Sequence, residues 1–197
     1  HFMHKEIFEQ PSTILNVLRG RLLPEEGTTR LNGLNLTPED CRAIQRIVIV
    51  GCGSSWHAGL VGRHFFEHVA GVPVQVEYAS EFRYHRQMRM AGTLTLAISQ
   101  SGETADTLEA MRLAREAGSR ILGVVNVVGS SIARAADGGM YLHAGPEIGV
   151  AAIKAVTLLW VALLMMAVHI GRHRGLSREN GQRVVSRLQQ LPEAPTR

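Results

Sequence analysis

The sequence predicts an α/β fold: a three-layer αβα sandwich around a five-stranded parallel sheet, doubly wound in the flavodoxin-like manner. Three observations carry this. Short apolar runs alternate with stretches of helical periodicity through the middle of the chain. Two of those runs, Ile47-Val48-Ile49-Val50 and Leu94-Thr95-Leu96-Ala97-Ile98, read as strands buried on both faces. The connections are short, which favours right-handed crossovers, helices on both faces and a strand order of 2-1-3-4-5.

Each element has a local reason. Residues 2–19 read as a helix interrupted near Pro11, with Ser12 capping the second piece. Glycines and charges from Gly20 to Gly33 read as a loop. Thr37-Pro38-Glu39-Asp40 starts a short helix, with Thr37 as cap, Pro38 in the first turn and acids beside the positive dipole end. Strand one begins near Arg46. A helix over 55–70 ends at Gly71, and strand two follows over 72–78 with Pro73 at its start. Ser80 caps a short helix to Tyr84, strand three is 93–98, and a helix from Thr104 to Ala117 stops at Gly118. Strands four and five are 121–126 and 140–143, with a short helix capped by Ser130 between them. A long helix takes 148–172. A polar helix from Ser177 leads to Pro192 and Pro195. The expected organisation is a helical arm over 1–45, one domain over 46–175 and a helical linker over 176–197.

Composition narrows the class. A chain of 197 residues, 45% hydrophobic and 19% charged, holds one sizeable core and is not disordered as a whole. The net charge of +4 is modest. The basic clusters Arg83-Tyr84-His85-Arg86-Gln87-Met88-Arg89 and Arg172-His173-Arg174 read as solvated faces, because no aromatic ladder accompanies them. No nucleic-acid partner is expected. Cys41 and Cys52 show no framework spacing, which fits a reduced cytoplasmic compartment. The apolar run 155–168 is shorter than the roughly 20 residues of a spanning helix, so it reads as a core or interface helix. No membrane is expected. A homodimer through the apolar helices is, since Leu158, Leu159, Trp160, Leu163 and Met166 surround one helix. Nine histidines do not imply a metal, because no pair at helical spacing has a third ligand near it in sequence. His57, His64 and His68 read as a solvated or interface face.

Two strand-to-helix turns carry the chemistry: Gly51-Cys52-Gly53-Ser54-Ser55 and Ser99-Gln100-Ser101-Gly102-Glu103-Thr104. Small hydroxyl residues at a helix start combine free backbone N–H groups, a positive dipole end and hydroxyl donors, which together suit a phosphate. On neighbouring parallel strands the two turns would share the carboxyl rim of the sheet. Each desolvated hydroxyl–phosphate bond is worth roughly 1.5–3 kcal/mol, so three or four suit micromolar to millimolar binding of a metabolite. A dinucleotide is the competing ligand, with Gly51-x-Gly53 after a strand and Glu77 closing the next. Trp56 stands against it, filling the place where the third glycine must be bare. Glu103 and Glu147 read as helix-dipole partners, Lys154 as an ion-pairing residue and Cys52 as a small packing residue.

The run Ser99 to Thr107 resembles a sugar isomerase (SIS) domain, more narrowly the first of the two such domains in the glutamine–fructose-6-phosphate aminotransferases, the glucosamine-6-phosphate synthases. The likeness extends from the His-Phe-Met-His-Lys-Glu-Ile opening, through Gly51–Ser55 and Ala79-Ser80-Glu81-Phe82-Arg83-Tyr84, to Glu147-Ile148-Gly149-Val150-Ala151. The resemblance implies that Ser55, Ser99, Gln100, Ser101 and Thr104 bind a hexose 6-phosphate, and that the main chain of Val150 faces the sugar. Gly53, Ser54, Gly102 and Glu147 are secondary candidates. Ala152 and Ile153 depart from the family's serine and threonine, removing a hydroxyl contact worth about 1 kcal/mol.

The resemblance also implies that the glutamate, lysines and histidine of catalysis lie on a second SIS domain and a C-terminal tail, and that ammonia comes from a glutaminase domain. This chain has no positions matching those groups, so no catalytic residue, metal or cofactor is assigned to it. Its opening also reads as a helix entered midway, so the chain is expected to be a fragment that binds fructose 6-phosphate or glucosamine 6-phosphate without turnover. The alternatives are a non-catalytic sugar-phosphate sensor and a stand-alone SIS-type isomerase.

Overall fold

A computed structural model of the chain describes residues 2–84, 89–149 and 152–193. Helix α1 (Phe2–Leu18) runs unbroken through Pro11. The Ser12 and Thr13 hydroxyls donate back to the Glu9 and Gln10 carbonyls, so Ser12 caps nothing. The interruption expected at Pro11 is overridden by packing, because Ile14, Val17 and Leu18 are buried against the body of the fold. The segment read as a loop contains a small antiparallel hairpin, β1 (Leu22–Leu23) with β2 (Thr28–Thr29), then a 3-10 turn at Asn32–Leu34. Helix α2 (Pro38–Ala43) begins as its sequence requires. Thr37 Oγ1 accepts from Asp40 N at 3.1 Å, and the Asp40 carboxylate accepts from Thr37 N at 2.9 Å.

The sheet follows: β3 (Arg46–Gly51), β4 (Val74–Tyr78), β5 (Thr93–Ser99), β6 (Arg120–Val125) and β7 (Gly138–Tyr141). All neighbours are parallel, in the order β4-β3-β5-β6-β7, which is the expected 2-1-3-4-5. Between them lie α3 (Gly53–Phe65), which widens into a π turn at Phe66–Ala70, α4 (Ala79–Phe82), α5 (Ala105–Glu116) and α6 (Ser131–Ala135). Helices α7 (Lys154–Arg172) and α8 (Arg178–Gln190) complete the described chain.

Strand periodicity sorts the layers. Ile47 and Ile49 point into one core with α1, α3 and α7, while Val48 and Val50 point into the other with α4, α5 and α6. The three-layer αβα sandwich is therefore present.

Several boundaries differ from expectation. Helix α3 starts at Gly53 rather than residue 55, and Ser80 lies inside α4, whose N-cap is Tyr78. Strand β7 ends at Tyr141, because His143 turns into the left-handed region at φ 56°. Helix α7 begins at Lys154 rather than residue 148. The basic run 172–174 is not a solvated face. Arg174 Nη1 donates to the carbonyls of Cys41, Arg42 and Ile44 at 3.1, 2.8 and 2.8 Å and pins the end of α2 to the end of α7. Of the other basic cluster, residues 85–88 lie outside the described residues, and Arg83 pairs with Asp106.

Helix α7 is long and apolar enough to cross a membrane by length and composition, but 72% of its apolar window is buried inside the fold. Leu158, Leu159, Leu163 and Met166 are fully buried, so the chain covers most of this helix itself, and of the five residues expected to form a dimer face Trp160 alone is exposed. Helix α8 folds back onto α7 and the hairpin through Gly181, Val185 and Leu188. At the sheet edge, the 3-10 turn lies directly on β7. A Cβ on Gly138 would stand 2.6 Å from Leu34 O, and one on Gly33 would stand 2.7 Å from Gly139 O, so only bare backbone fits there.

Candidate functional site

Strands β3 and β5 are hydrogen-bonded neighbours, with Val50 opposite Ala97. Strand β3 leads into α3 on one face and β5 leads into α5 on the other. Both helix starts therefore flank the point where the strand order reverses, which is where open α/β sheets hold their ligands.

The β5–α5 turn is shaped by its own hydroxyls. Ser99 is buried; its Oγ accepts from Gly102 N at 3.1 Å and shares a 3.0 Å hydrogen bond with Thr104 Oγ1. Ser101 Oγ accepts from Glu103 N at 3.2 Å, and its own O–H remains available at an exposed position. The half-buried Gln100 accepts Asn126 N at its main-chain oxygen, which leaves its amide side chain out of the turn's framework. Gly102 sits at φ 69°, and a Cβ there would stand 2.1 Å from Ser130 Oγ. Thr104 is the N-cap of α5 but makes no side-chain cap bond, because its hydroxyl faces Ser99. The first turn of α5 consequently keeps N–H groups that its cap residue does not satisfy.

The β3–α3 turn repeats the pattern. Cys52 is the N-cap of α3 and makes no side-chain cap bond, Gly53 has φ 53°, and Ser54 is exposed and Ser55 half-buried in the first turn. In place of a third glycine, Trp56 stacks on Tyr78 with centroids 4.5 Å apart. The fold thus brings Ser55, Ser99, Gln100, Ser101 and Thr104, with Gly53, Ser54 and Gly102, to one rim. Ser99 forms the frame of the turn, whereas Ser101 and the two helix starts face outward. Val150 lies outside the described residues.

The nearby acids are already committed. Glu103 Oε1 accepts from Ser131 N at 2.8 Å; the Ser131 hydroxyl and N–H hold the Glu103 carboxyl below its ordinary range. Glu147 Oε1 accepts from Ile153 N and Lys154 N, both at 2.7 Å, and its Oε2 from Ala155 N at 3.4 Å. This carboxylate caps α7 from upstream, which explains the late helix start and removes Glu147 from the free ligand set. Lys154 is buried, donating to Glu9 Oε2 and Pro146 O at 2.8 Å each. His57, His64 and His68 are exposed, and Cys52 packs on the second core.

Two residues escaped the sequence reading. Glu6, buried on α1, accepts from Ile148 N at 2.7 Å and Gly149 N at 3.1 Å and so steers the loop before Val150. Its only sequence signal is an acid next to the apolar face of α1. Ser130 reads as a cap but makes none; its hydroxyl is buried against Gly102 without a protein partner.

The SIS domain family model matches residues 42–169, which include both turns. The chain belongs to the SIS domain family. It is 47% identical over 195 residues to the glutamine–fructose-6-phosphate aminotransferase (isomerizing) of Chlorobaculum tepidum, and 48% identical over 195 residues to that of Zymomonas mobilis. These alignments cover 99% and 98% of the chain and 31% and 32% of the relatives, so the chain spans about a third of the curated proteins it matches. Among solved structures it is similar to the C-terminal domain of glucosamine-fructose-6-phosphate aminotransferase from Francisella tularensis. There the TM-score is 0.90 at 35% identity, covering 98% of this chain and 54% of that one. The SIS fold and the aminotransferase relationship expected from the family resemblance are both present.

Proposed function

We propose that this chain is the first SIS domain of a glutamine–fructose-6-phosphate aminotransferase and holds the phosphate end of fructose 6-phosphate or glucosamine 6-phosphate. The observation that carries this is the pair of long helices, α3 and α5, starting at adjacent strands without side-chain caps beside outward-facing Ser101, Ser54 and Ser55. The phosphate would take the N–H groups of both helix starts, with Ser101, Ser55 and Thr104 as hydroxyl donors and Gln100 toward the sugar. A dianion gains from two dipole ends at once without an arginine or lysine in the cradle. Proton transfer, imine chemistry and ammonia supply belong, in this reading, to a glutaminase and a second SIS domain of a cytoplasmic parent enzyme.

Titrating the chain with fructose 6-phosphate by calorimetry should give a micromolar to millimolar dissociation constant, with inorganic phosphate competing. Incubation with fructose 6-phosphate and ammonia should yield no glucosamine 6-phosphate. Absence of binding at millimolar ligand would remove the site, and turnover by this chain alone would remove the division of labour.

The reading includes a homodimer. Since α7 is largely covered within the chain, the apolar surface left for it is the outer face of α1, where Phe2, Met3, Ile7, Phe8 and Leu15 are exposed. Light scattering should show a dimer that Phe8→Glu dissociates; a monomer at tens of micromolar would end this part.

A further inference from the structure

The ends of α2 and α7 meet beside the hairpin, away from both turns. There Cys41 and the pair His169 and His173 place one ligand atom each within 4.8 Å of one another. We propose that Cys41, His169 and His173 bind a zinc ion, a site unrelated to the sugar-phosphate rim. A tetrahedral zinc bonded at roughly 2.0–2.3 Å keeps its ligands roughly 3.5 Å apart, so the side chains need to close by about 1.3 Å at most.

The two histidines are placed for the task, and Cys41 faces them from α2. His169 and His173 stand four residues apart on one helix, the spacing that puts two imidazoles on the same face. His169 Nδ1 lies 3.0 Å from Thr29 O, and a proton on that nitrogen leaves Nε2 with its lone pair. Burial, followed by His169, Arg42 and Arg172, lowers the pKa of His173. Burial pushes the Cys41 thiol up to about 11, so zinc would displace a proton as it binds. The three bonds from Arg174 to the Cys41, Arg42 and Ile44 carbonyls fix α2 against α7 and thereby fix Cys41 against the histidines.

The charges facing the cluster are mixed. Arg42, Arg120, Arg172 and Arg174 oppose a cation, while Asp40, Glu39 and the carbonyl end of α7 favour one. A thiolate with two imidazoles selects zinc over magnesium or calcium, which prefer oxygen. A groove of about 650 Å³ lined by Thr28, Thr29, Arg30, His169 and His173 brings solvent to the two histidines, while Cys41 lies buried behind them.

Titrating the metal-stripped 197-residue chain with zinc against a chromophoric chelator should show one tight equivalent. Cobalt in its place should give a thiolate-to-metal charge-transfer band. Cys41→Ser should abolish that band, and Cys41→Ser and the half-exposed His173→Gln should each weaken zinc at least tenfold, with circular dichroism confirming the fold. His64→Gln/His68→Gln, which removes the exposed histidine pair at the same spacing, should change nothing. A missing thiolate band, unchanged affinity in both the Cys41 and His173 variants, or a loss confined to the His64/His68 variant would overturn the site.

Discussion

The helix starts of this molecule divide into closed and open ones. Helices α2, α6 and α7 begin with a side chain already seated on their N–H groups: the Thr37–Asp40 box, Glu103 and Glu147. Helices α3 and α5 begin with a small residue that makes no cap bond, one or two residues from a glycine with positive φ. All five carry the same dipole and the same orphan donors. Of the helices without a side-chain cap, α4 is a four-residue turn, whereas α3 and α5 are full helices whose starts flank the reversal of strand order. An uncapped start is thus informative here only because closed starts exist beside it.

Substitutions can break this contrast. The largest effect should come from Gly102→Ala, which adds a methyl 2.1 Å from Ser130 Oγ at a left-handed residue. A loss of about 3 kcal/mol in urea unfolding is expected, together with loss of sugar-phosphate binding. Wild-type stability in this variant would show that the turn has another shape. Glu147→Ala takes the carboxylate from α7 and leaves three N–H groups unsatisfied, at about 2 kcal/mol in the same measurement. Ser101→Ala and Thr104→Ala should each cost about 1 kcal/mol of fructose 6-phosphate affinity, a several-fold change by calorimetry, with the melting temperature kept in Ser101→Ala and slightly lowered in Thr104→Ala, which takes a partner from Ser99. Unchanged affinity in both would exclude them from the open pair.

The smallest effect sharpens the closed side through pH. Glu103 titrates below its ordinary range in the folded chain, so its contribution is present above the unfolded value and is lost as pH falls through the folded one. The small melting-temperature gap between wild type and Glu103→Gln should therefore close between about pH 6 and about pH 3. A gap independent of pH would mean that charge is not what seats this residue on α6.

Much of this was legible in the sequence because it is local. Thr37-Pro38-Glu39-Asp40 specified α2, Gly71 and Gly118 closed their helices, and two-sided apolar strands with short connections specified the sheet order. The hydroxyl turns marked the rim for the same reason. What stayed hidden depends on groups distant in the chain. The start of α7 is set by Glu147 while Glu6 on α1 holds the loop before it, so the apolar residues from 148 onward suggested helix too early. Pro11 is carried by packing on α7, and the Arg172–Arg174 run turned inward because carbonyls of α2 await it. The Cys41 and His169–His173 grouping is of the same kind, since no spacing in the sequence joins α2 to the end of α7.

The bare backbone at Gly33 and Gly138 has a consequence for the crowded cell. A parallel sheet with an exposed last strand invites recruitment of strands from other molecules, and stacking of that sort propagates. Here the invitation is withdrawn by a short turn lying flush against the strand, a fit that two hydrogens in place of two methyl groups permit. Adding either methyl would lift that cover, so the first symptom expected is self-association at high concentration, before any loss of ligand affinity.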